Sequence, residues 1–266
     1  MKKILVLLLL LFVVNSADAK SGVSVDYDNG IYHIVLSGDK IKKKIKFIAS
    51  ENLITNREAH NKSNSILTIN TGFFDPKTGK TISYVVTDRN TAVDPMFTDS
   101  LLFDPVLRMN REKILNRTEF RIIECDNKYR YEIAPHSSDV DFGCSIVTSA
   151  QGGPMILPQL RLEEEFFIVK DKEGNVVRES ASVLHKTSRT IMGIKGEDAH
   201  ILIITDKNPM DIYEVKELCK KLGFDRAMAF DGGSSTSLNY KKDVEVVSTV
   251  GDGAGRMLKS FMIIVK

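Results

Sequence analysis

The sequence predicts a mixed α+β fold, a single domain of mainly mixed or antiparallel sheet with a few helices. Three observations point there. Most patterned segments are short, and either alternate apolar with polar residues or run continuously apolar, as strands do. Only residues 211–222 repeat apolar side chains at a clear helical period. No internal repeat, low-complexity tract or Pro/Ser-rich linker divides the chain, and strands broken by one helix do not make a doubly wound alternation.

The elements follow in order. Residues 1–19 read as an export signal peptide: Lys2 and Lys3 precede the apolar run 4–14, and Ala17-Asp18-Ala19 supplies a small-x-small cleavage pattern. That run falls short of the roughly 20 residues that span a bilayer. The remaining domain, 20–266, is therefore expected to be secreted or periplasmic, with no transmembrane segment after signal cleavage. Residues 30–36 alternate, with Ile31, His33 and Val35 on one face, and 43–48 alternate again. Lys42-Lys43-Lys44 reads as the solvated edge of a strand. Residues 65–70 form an apolar strand running into Thr71-Gly72. Residues 190–194 and 200–205 flank a Lys195-Gly196-Glu197-Asp198 turn and form a hairpin. The 211–222 helix has Asp211 as its cap, Glu214 three residues on, and Gly223 as its stop. Residues 227–230 form a short buried strand before a glycine-serine loop, and 244–247 and 257–265 are the last strands. Residues 89–111 contain Asp94-Pro95 and Asp104-Pro105 and no clean period. They read as a long excursion, either a binding or lid element or a plain surface insertion.

Composition narrows the function. Hydrophobic residues make up 42% of the chain, ample for a core. Thirty-seven basic residues against 35 acidic ones leave a net charge of +2, with no concentrated basic face for nucleic acid. Cys125 and Cys144 flank a stretch of strand formers; export permits a bridge between them, and bridge and free thiols both stay open. Cys219 reads as a buried thiol, and no cysteine pair has zinc-site spacing. Oligomeric state leaves no signal in the sequence.

The chemistry concentrates in Phe230-Asp231-Gly232-Gly233-Ser234-Ser235-Thr236. A buried strand ending in Asp231 holds a carboxylate at the mouth of a cleft. Gly232 and Gly233 permit backbone conformations that let amides converge on an anion, and Ser234, Ser235 and Thr236 add three hydroxyls. A plain glycine turn with exposed serines is the alternative. Ser188-Arg189-Thr190 places an arginine at the start of a strand, as a surface charge or a buried anion clamp. Asn70-Thr71-Gly72-Phe73-Phe74 puts an amide before a glycine turn and two aromatics, which could line a sugar pocket or plug the core. His185 lies four residues before Arg189, where a structural role is the ordinary one. Asp206, after the second hairpin strand, could pair with Asp231 to hold a divalent cation; no other cofactor is indicated. Neither Ser234 nor Ser235 lies in a Gly-x-Ser-x-Gly or Ser-x-x-Lys motif, which argues against a serine hydrolase.

Taken together, Asn-x-Gly-Phe-Phe, Arg-Thr-x-x-Gly and Asp-Gly-Gly-Ser-Ser-Thr, in that order, resemble the phosphodiester glycosidases over residues 65–265. Gln151-Gly152-Gly153-Pro154 and Asp252-Gly253-Ala254-Gly255-Arg256 are similar to two further stretches of that family. Thr71 and Ser237 depart from its pattern, where a second glycine and a methionine would stand. The resemblance implies cleavage of a sugar-1-phosphodiester in a cell-envelope or extracellular glycan, releasing free sugar and leaving a phosphomonoester. In that reading Asp231, Arg189 and Asn70 are the catalytic set. Gly232, Gly233, Ser234, Ser235, Thr236, Phe73, Phe74, Gly153 and Arg256 hold the phosphorylated carbohydrate. A non-catalytic phosphoglycan-binding protein is the competing reading.

Overall fold

The computed structural model describes residues 22–247 and 255–266. The expected signal peptide, 1–19, and Asp252 to Ala254 of the last glycine-rich stretch lie outside the described residues. Every strand pairing among the described residues is antiparallel. A six-stranded sheet runs Val23–Asp28, Ile31–Leu36, Asp198–Ile204, Arg189–Lys195, Arg226–Ala229, Met155–Leu157. One five-stranded sheet runs Val244–Val247, Ser237–Tyr240, Ser65–Asn70, Leu258–Val265, Ile45–Ile54. The other runs Asn90–Val93, Val85–Thr87, Cys144–Gln151, Thr118–Cys125, Lys128–Pro135. The α+β class expected from the sequence is the class observed.

The three sheets close on one apolar core. Ile34, Leu36, Met192, Ile201, Met228 and Phe230 from the six-stranded sheet meet Phe47, Leu67, Ile69, Phe120, Ile122 and Met262 from the other two. Alternation sends the neighbouring residues to the opposite face. There Ile191, Leu202, Ile204, Ala227 and Ala229 pack under Ile212, Val215 and Cys219 of the Ile212–Leu222 helix. The central strands are therefore covered on both sides, which explains why they read as continuous apolar runs. Gly193 is tied to this second face, since a Cβ there would meet the Phe224 ring at 2.3 Å. The helix ends as its sequence predicts. Asp211 accepts from the Tyr213 and Glu214 amides, Glu214 reaches back to the cap, and Gly223 closes it at φ 74°. On the same face His33 Nε2 and His200 Nδ1 lie 2.9 Å apart across adjacent strands, beside Phe224. Removal from water lowers both imidazole pKa values, that of His200 to about 4.

One expectation changes, and one open stretch is filled in. Lys42 is not on a strand edge: it ends the short helix Asp39–Lys42, is buried, and sets its ammonium 5.4 Å from the Tyr131 ring centroid. A long aliphatic stem and a ring face let a lysine pack inward while its charge stays near water. The 89–111 excursion, which shows no clean period in sequence, carries short elements of its own. It holds the strand Asn90–Val93 and the helices Asp99–Phe103 and Pro105–Met109, and leads directly into Arg111–Leu115. Asp104 caps one of these from in front of its proline, accepting from the Val106 and Leu107 amides. Helices of five residues are too short to show a period in sequence.

Cys125 and Cys144 form a disulfide across neighbouring strands, closing a separation of 19 residues. By loop entropy such a closure contributes about 3 kcal/mol. The Cys125→Ser/Cys144→Ser protein is expected to lose about 2–3 kcal/mol in denaturant unfolding, and reductant is expected to destabilise the wild type alone.

Candidate functional site

The sequence motifs converge where the end of the six-stranded sheet meets the Ser65–Asn70 strand. Phe230 is anchored in the core, its amide donating to the Thr190 carbonyl at 2.8 Å. Asp231 then leaves the sheet, its amide donating to the Thr71 carbonyl at 2.9 Å. Gly233, at φ 58°, turns the chain into the short 3-10 helix Gly233–Ser235. The turn is thus pinned on both sides, with Asp231 half-buried upon it.

Asn70 holds this junction. Its Oδ1 accepts from Thr190 Oγ1 at 2.7 Å and from the Ser237 amide at 3.0 Å, and its Nδ2 donates to the Asp231 carbonyl at 2.6 Å. Most of the amide is thereby committed to the protein rather than to a substrate oxygen. The two departures from the family pattern take part in the same scaffold. Thr71 Oγ1 donates to Ser260 Oγ at 2.9 Å, and Ser237 Oγ accepts from Asn56 Nδ2 at 3.0 Å.

Arg256 supplies the charge that touches the loop. Its Nη1 donates to Ser234 Oγ at 3.0 Å and Ser235 Oγ at 3.2 Å, and its guanidinium lies 5.0 Å from the Phe74 ring centroid. Ser235 in turn hydrogen-bonds the Asp231 carboxylate. Loss of water pushes the Asp231 carboxyl up to about 6; the Ser235 hydroxyl, Arg256, the Gly232 amide and Arg117 pull against that rise. The Gly233 amide is engaged with the Ser188 carbonyl at 2.8 Å, so the glycine amides serve the loop itself. Thr236 is buried behind it.

Arg189 is placed differently from the clamp expected of it. The buried guanidinium faces backbone carbonyls: Met210 at 3.0 Å from Nε, Ser182 and His185 each at 2.7 Å from Nη2, with Val183 at 3.3 Å and Ala181 at 3.5 Å. It ties residues 181–185 and Met210 to the sheet. One edge still passes the loop, since a Cβ on Gly232 would come 3.7 Å from Nη1. His185 contributes only its carbonyl here; its ring is exposed beside Glu179. Asp206 is exposed past the end of the Asp198–Ile204 strand, with the Arg189–Lys195 strand between that strand and the one leading to Asp231. Among the described residues no group of three or more His, Cys, Asp or Glu side chains is arranged to hold a metal ion.

Phe73 and Phe74 are both buried and part company. Phe74 packs with Ala59, Leu258 and Phe261 below Arg256. Phe73 stacks near Phe167, centroids 5.6 Å apart. Gly153, before a cis Gly153–Pro154 bond, lies at φ 95°, and a Cβ there would meet Glu165 Oε2 at 2.2 Å. This close approach brings in two residues that motif reading missed. Glu165 is fully buried, accepting from the Thr118 amide and hydroxyl and the Met155 amide, and burial raises its pKa. Arg117 donates from Nε to the Glu165 carbonyl at 3.0 Å. The only sequence signal for Arg117 is the one that marked Arg189, an arginine opening an apolar strand.

An antiparallel α+β domain with an arginine-flanked carboxylate on a glycine-serine turn is the class that fold and site define. Residues 63–265 match the phosphodiester glycosidase family, and the chain belongs to it. The resemblance drawn from the three motifs is thus borne out. Among solved structures, the chain is similar to the catalytic domain of zebrafish N-acetylglucosamine-1-phosphodiester alpha-N-acetylglucosaminidase, auto-inhibited by its pro-peptide. That match has 12% identity and a TM-score of 0.63, over 92% of this chain and 81% of that one. A hypothetical protein from Synechocystis aligns at 11% identity and TM-score 0.58, over 91% of this chain and 61% of that one, which is the longer. A putative exported protein from Burkholderia pseudomallei K96243 aligns at 11% and TM-score 0.53, over 89% and 74%. At these identities the likeness is one of fold. No curated protein matches the chain by sequence. No helix among the described residues is long and apolar enough to cross a membrane.

Removing the Arg189 donors strands several inward-facing carbonyls. Arg189→Met is expected to lower stability by about 3–5 kcal/mol in urea unfolding, with the 181–185 segment gaining protease sensitivity first.

Proposed function

We propose that the protein is an exported hydrolase that cleaves sugar-1-phosphodiester bonds in a cell-envelope or extracellular glycan. It frees the sugar and leaves a phosphomonoester on the other alcohol. The observation that carries this reading is the Asp231 carboxylate, half-buried on its turn, with Arg256 and the Ser234 and Ser235 hydroxyls beside it. Family membership supports a hydrolase acting on a carbohydrate. The leader pattern in 1–19 and the disulfide support export.

The chemistry suits one carboxylate. An ordinary glycosidase needs a general acid because its leaving alkoxide is poor. Here the bond from C1 to the phosphate oxygen breaks, and the oxygen keeps the electron pair as part of a stable anion whose second pKa is about 6. Little proton donation is required. Ionised Asp231 offsets the positive charge that develops at C1; water adds there and its proton passes to solvent, the departing phosphate being a dianion above about pH 6. Arginine and hydroxyl donors hold the departing phosphate. A phosphoglycan binder would use Asp231 only to accept from sugar hydroxyls, whereas a hydrolase also uses its charge at C1. The place of Asp231 beside the phosphate donors favours the second use.

The decisive assay offers the purified protein a UDP-sugar or an aryl sugar-1-phosphodiester. Free sugar is expected with the wild type, and Asp231→Asn is expected to lower kcat by on the order of 10³-fold. Tight phosphoglycan binding without sugar release would sink the hydrolase reading. Because the working carboxylate must be ionised, wild-type kcat/KM is expected to rise with pH through about 6. The stability consequence runs the other way. A carboxyl raised from 3.8 to about 6 on folding favours the folded state below the lower value and loses that contribution as pH rises through the upper one. Asp231→Asn is therefore expected to melt higher than wild type at pH 8, with the difference fading on acidification.

A further inference from the structure

Arg117 sits between the helix Arg111–Leu115 and the strand Thr118–Cys125. It is 4% exposed. Its plane is fixed on three sides. Nε donates to the Glu165 carbonyl at 3.0 Å, and the guanidinium carbon lies 4.1 Å from the Phe167 ring centroid and 5.2 Å from that of Phe73. Ring faces hold a guanidinium without using its N–H groups. Neither terminal nitrogen has a hydrogen-bond partner among the described residues, so four N–H donors are left for something else.

A guanidinium held by ring faces and one carbonyl keeps its terminal fork free to meet two oxygens of an anion. Arg189 offers the contrast, with its guanidinium turned to the carbonyls of residues 181–185 and Met210. Position agrees. Phe73, beneath Arg117, also lines a narrow cavity with Arg189, Phe230 and Gly232 beside the Asp231 turn. Asp231 lies in the electric field of both Arg117 and Arg256.

We propose that Arg117 is the residue that grips the substrate's phosphate, its two terminal nitrogens meeting the two non-bridging oxygens. This assignment rests on the phosphodiester-cleaving function proposed above and sets a second cation, beside Arg256, in the field of Asp231.

The test uses the full-length protein and inorganic phosphate as the probe. A crystal structure of the wild type with phosphate should place two phosphate oxygens within hydrogen-bond distance of the Arg117 terminal nitrogens. Arg117→Lys keeps the charge and loses the fork, and should weaken phosphate binding about 10-fold by calorimetry; Arg117→Gln should weaken it at least 100-fold. KM for an aryl sugar-1-phosphodiester should rise in parallel. Phosphate bound away from Arg117, or a folded Arg117→Gln protein with wild-type phosphate affinity, overturns the assignment. If both variants fail to fold, the wild-type structure decides alone. Phosphate on Arg117 in a protein that cleaves no phosphodiester would uphold the assignment while ending the hydrolase reading. Cleavage by an enzyme whose phosphate lies elsewhere would do the reverse.

Discussion

The carboxamide of Asn70 is the interaction on which the site depends. It is buried where the six-stranded sheet and a five-stranded sheet meet, and joins Thr190, Ser237 and the Asp231 carbonyl in one group. Two acceptances and one donation within a single planar amide admit few substitutes. An aspartate could not donate to Asp231, and an apolar residue would leave a buried hydroxyl, an amide and a carbonyl unmatched. The sheets are held together at the point where the Asp231 turn leaves the core. The carboxylate can be partly stripped of water there because the backbone beneath it cannot sag to relieve the cost.

This arrangement divides the polar residues into two kinds. Asn70, Thr71 and Ser237 face inward and hold the junction together, while Arg189 ties residues 181–185 to the sheet with one edge passing the turn. Asp231, Ser234 and Arg256 stand together at the turn, and among the described residues Arg117 keeps its terminal nitrogens without a protein partner. The division could not be seen in the motifs, because a conspicuous arginine is equally suited to clamping a ligand or clamping a loop. What separates the two is the set of carbonyls within reach. Residues 181–185 curl so that their carbonyls point at Arg189, whereas Arg117 meets ring faces and a single carbonyl.

Much of the fold was legible for the same reason that the helix at residues 211–222 was: period and cap chemistry are local. Capping Asp211, stopping Gly223 and the hairpin about Gly196 needed no tertiary knowledge. The core strands also declared themselves, because both faces of the central sheet are covered. The misread parts depended on distant partners. Lys42 goes inward because Tyr131 offers it a ring, and 89–111 folds into helices too short to carry a signature, held by Leu101 and Ile114 against Phe166. At the site, the Asp231 turn and Arg256 were legible as chemistry. Arg117 and Glu165 were not, since Gly153 brings them in through an approach that only three-dimensional packing reveals.

The histidine pair on the central sheet has a consequence for acid response. His33 and His200 share a hydrogen bond and both resist protonation in the folded state, His200 down to about 4. An unfolded chain takes up protons on imidazoles below about pH 6.5, so acidification through that range draws the equilibrium toward unfolding. Asp231 has the opposite slope over nearly the same interval, since it binds its proton more readily when folded. The two ends of one sheet thus act as counterweights. The penalty that acid imposes at these two histidines is partly returned at the carboxylate.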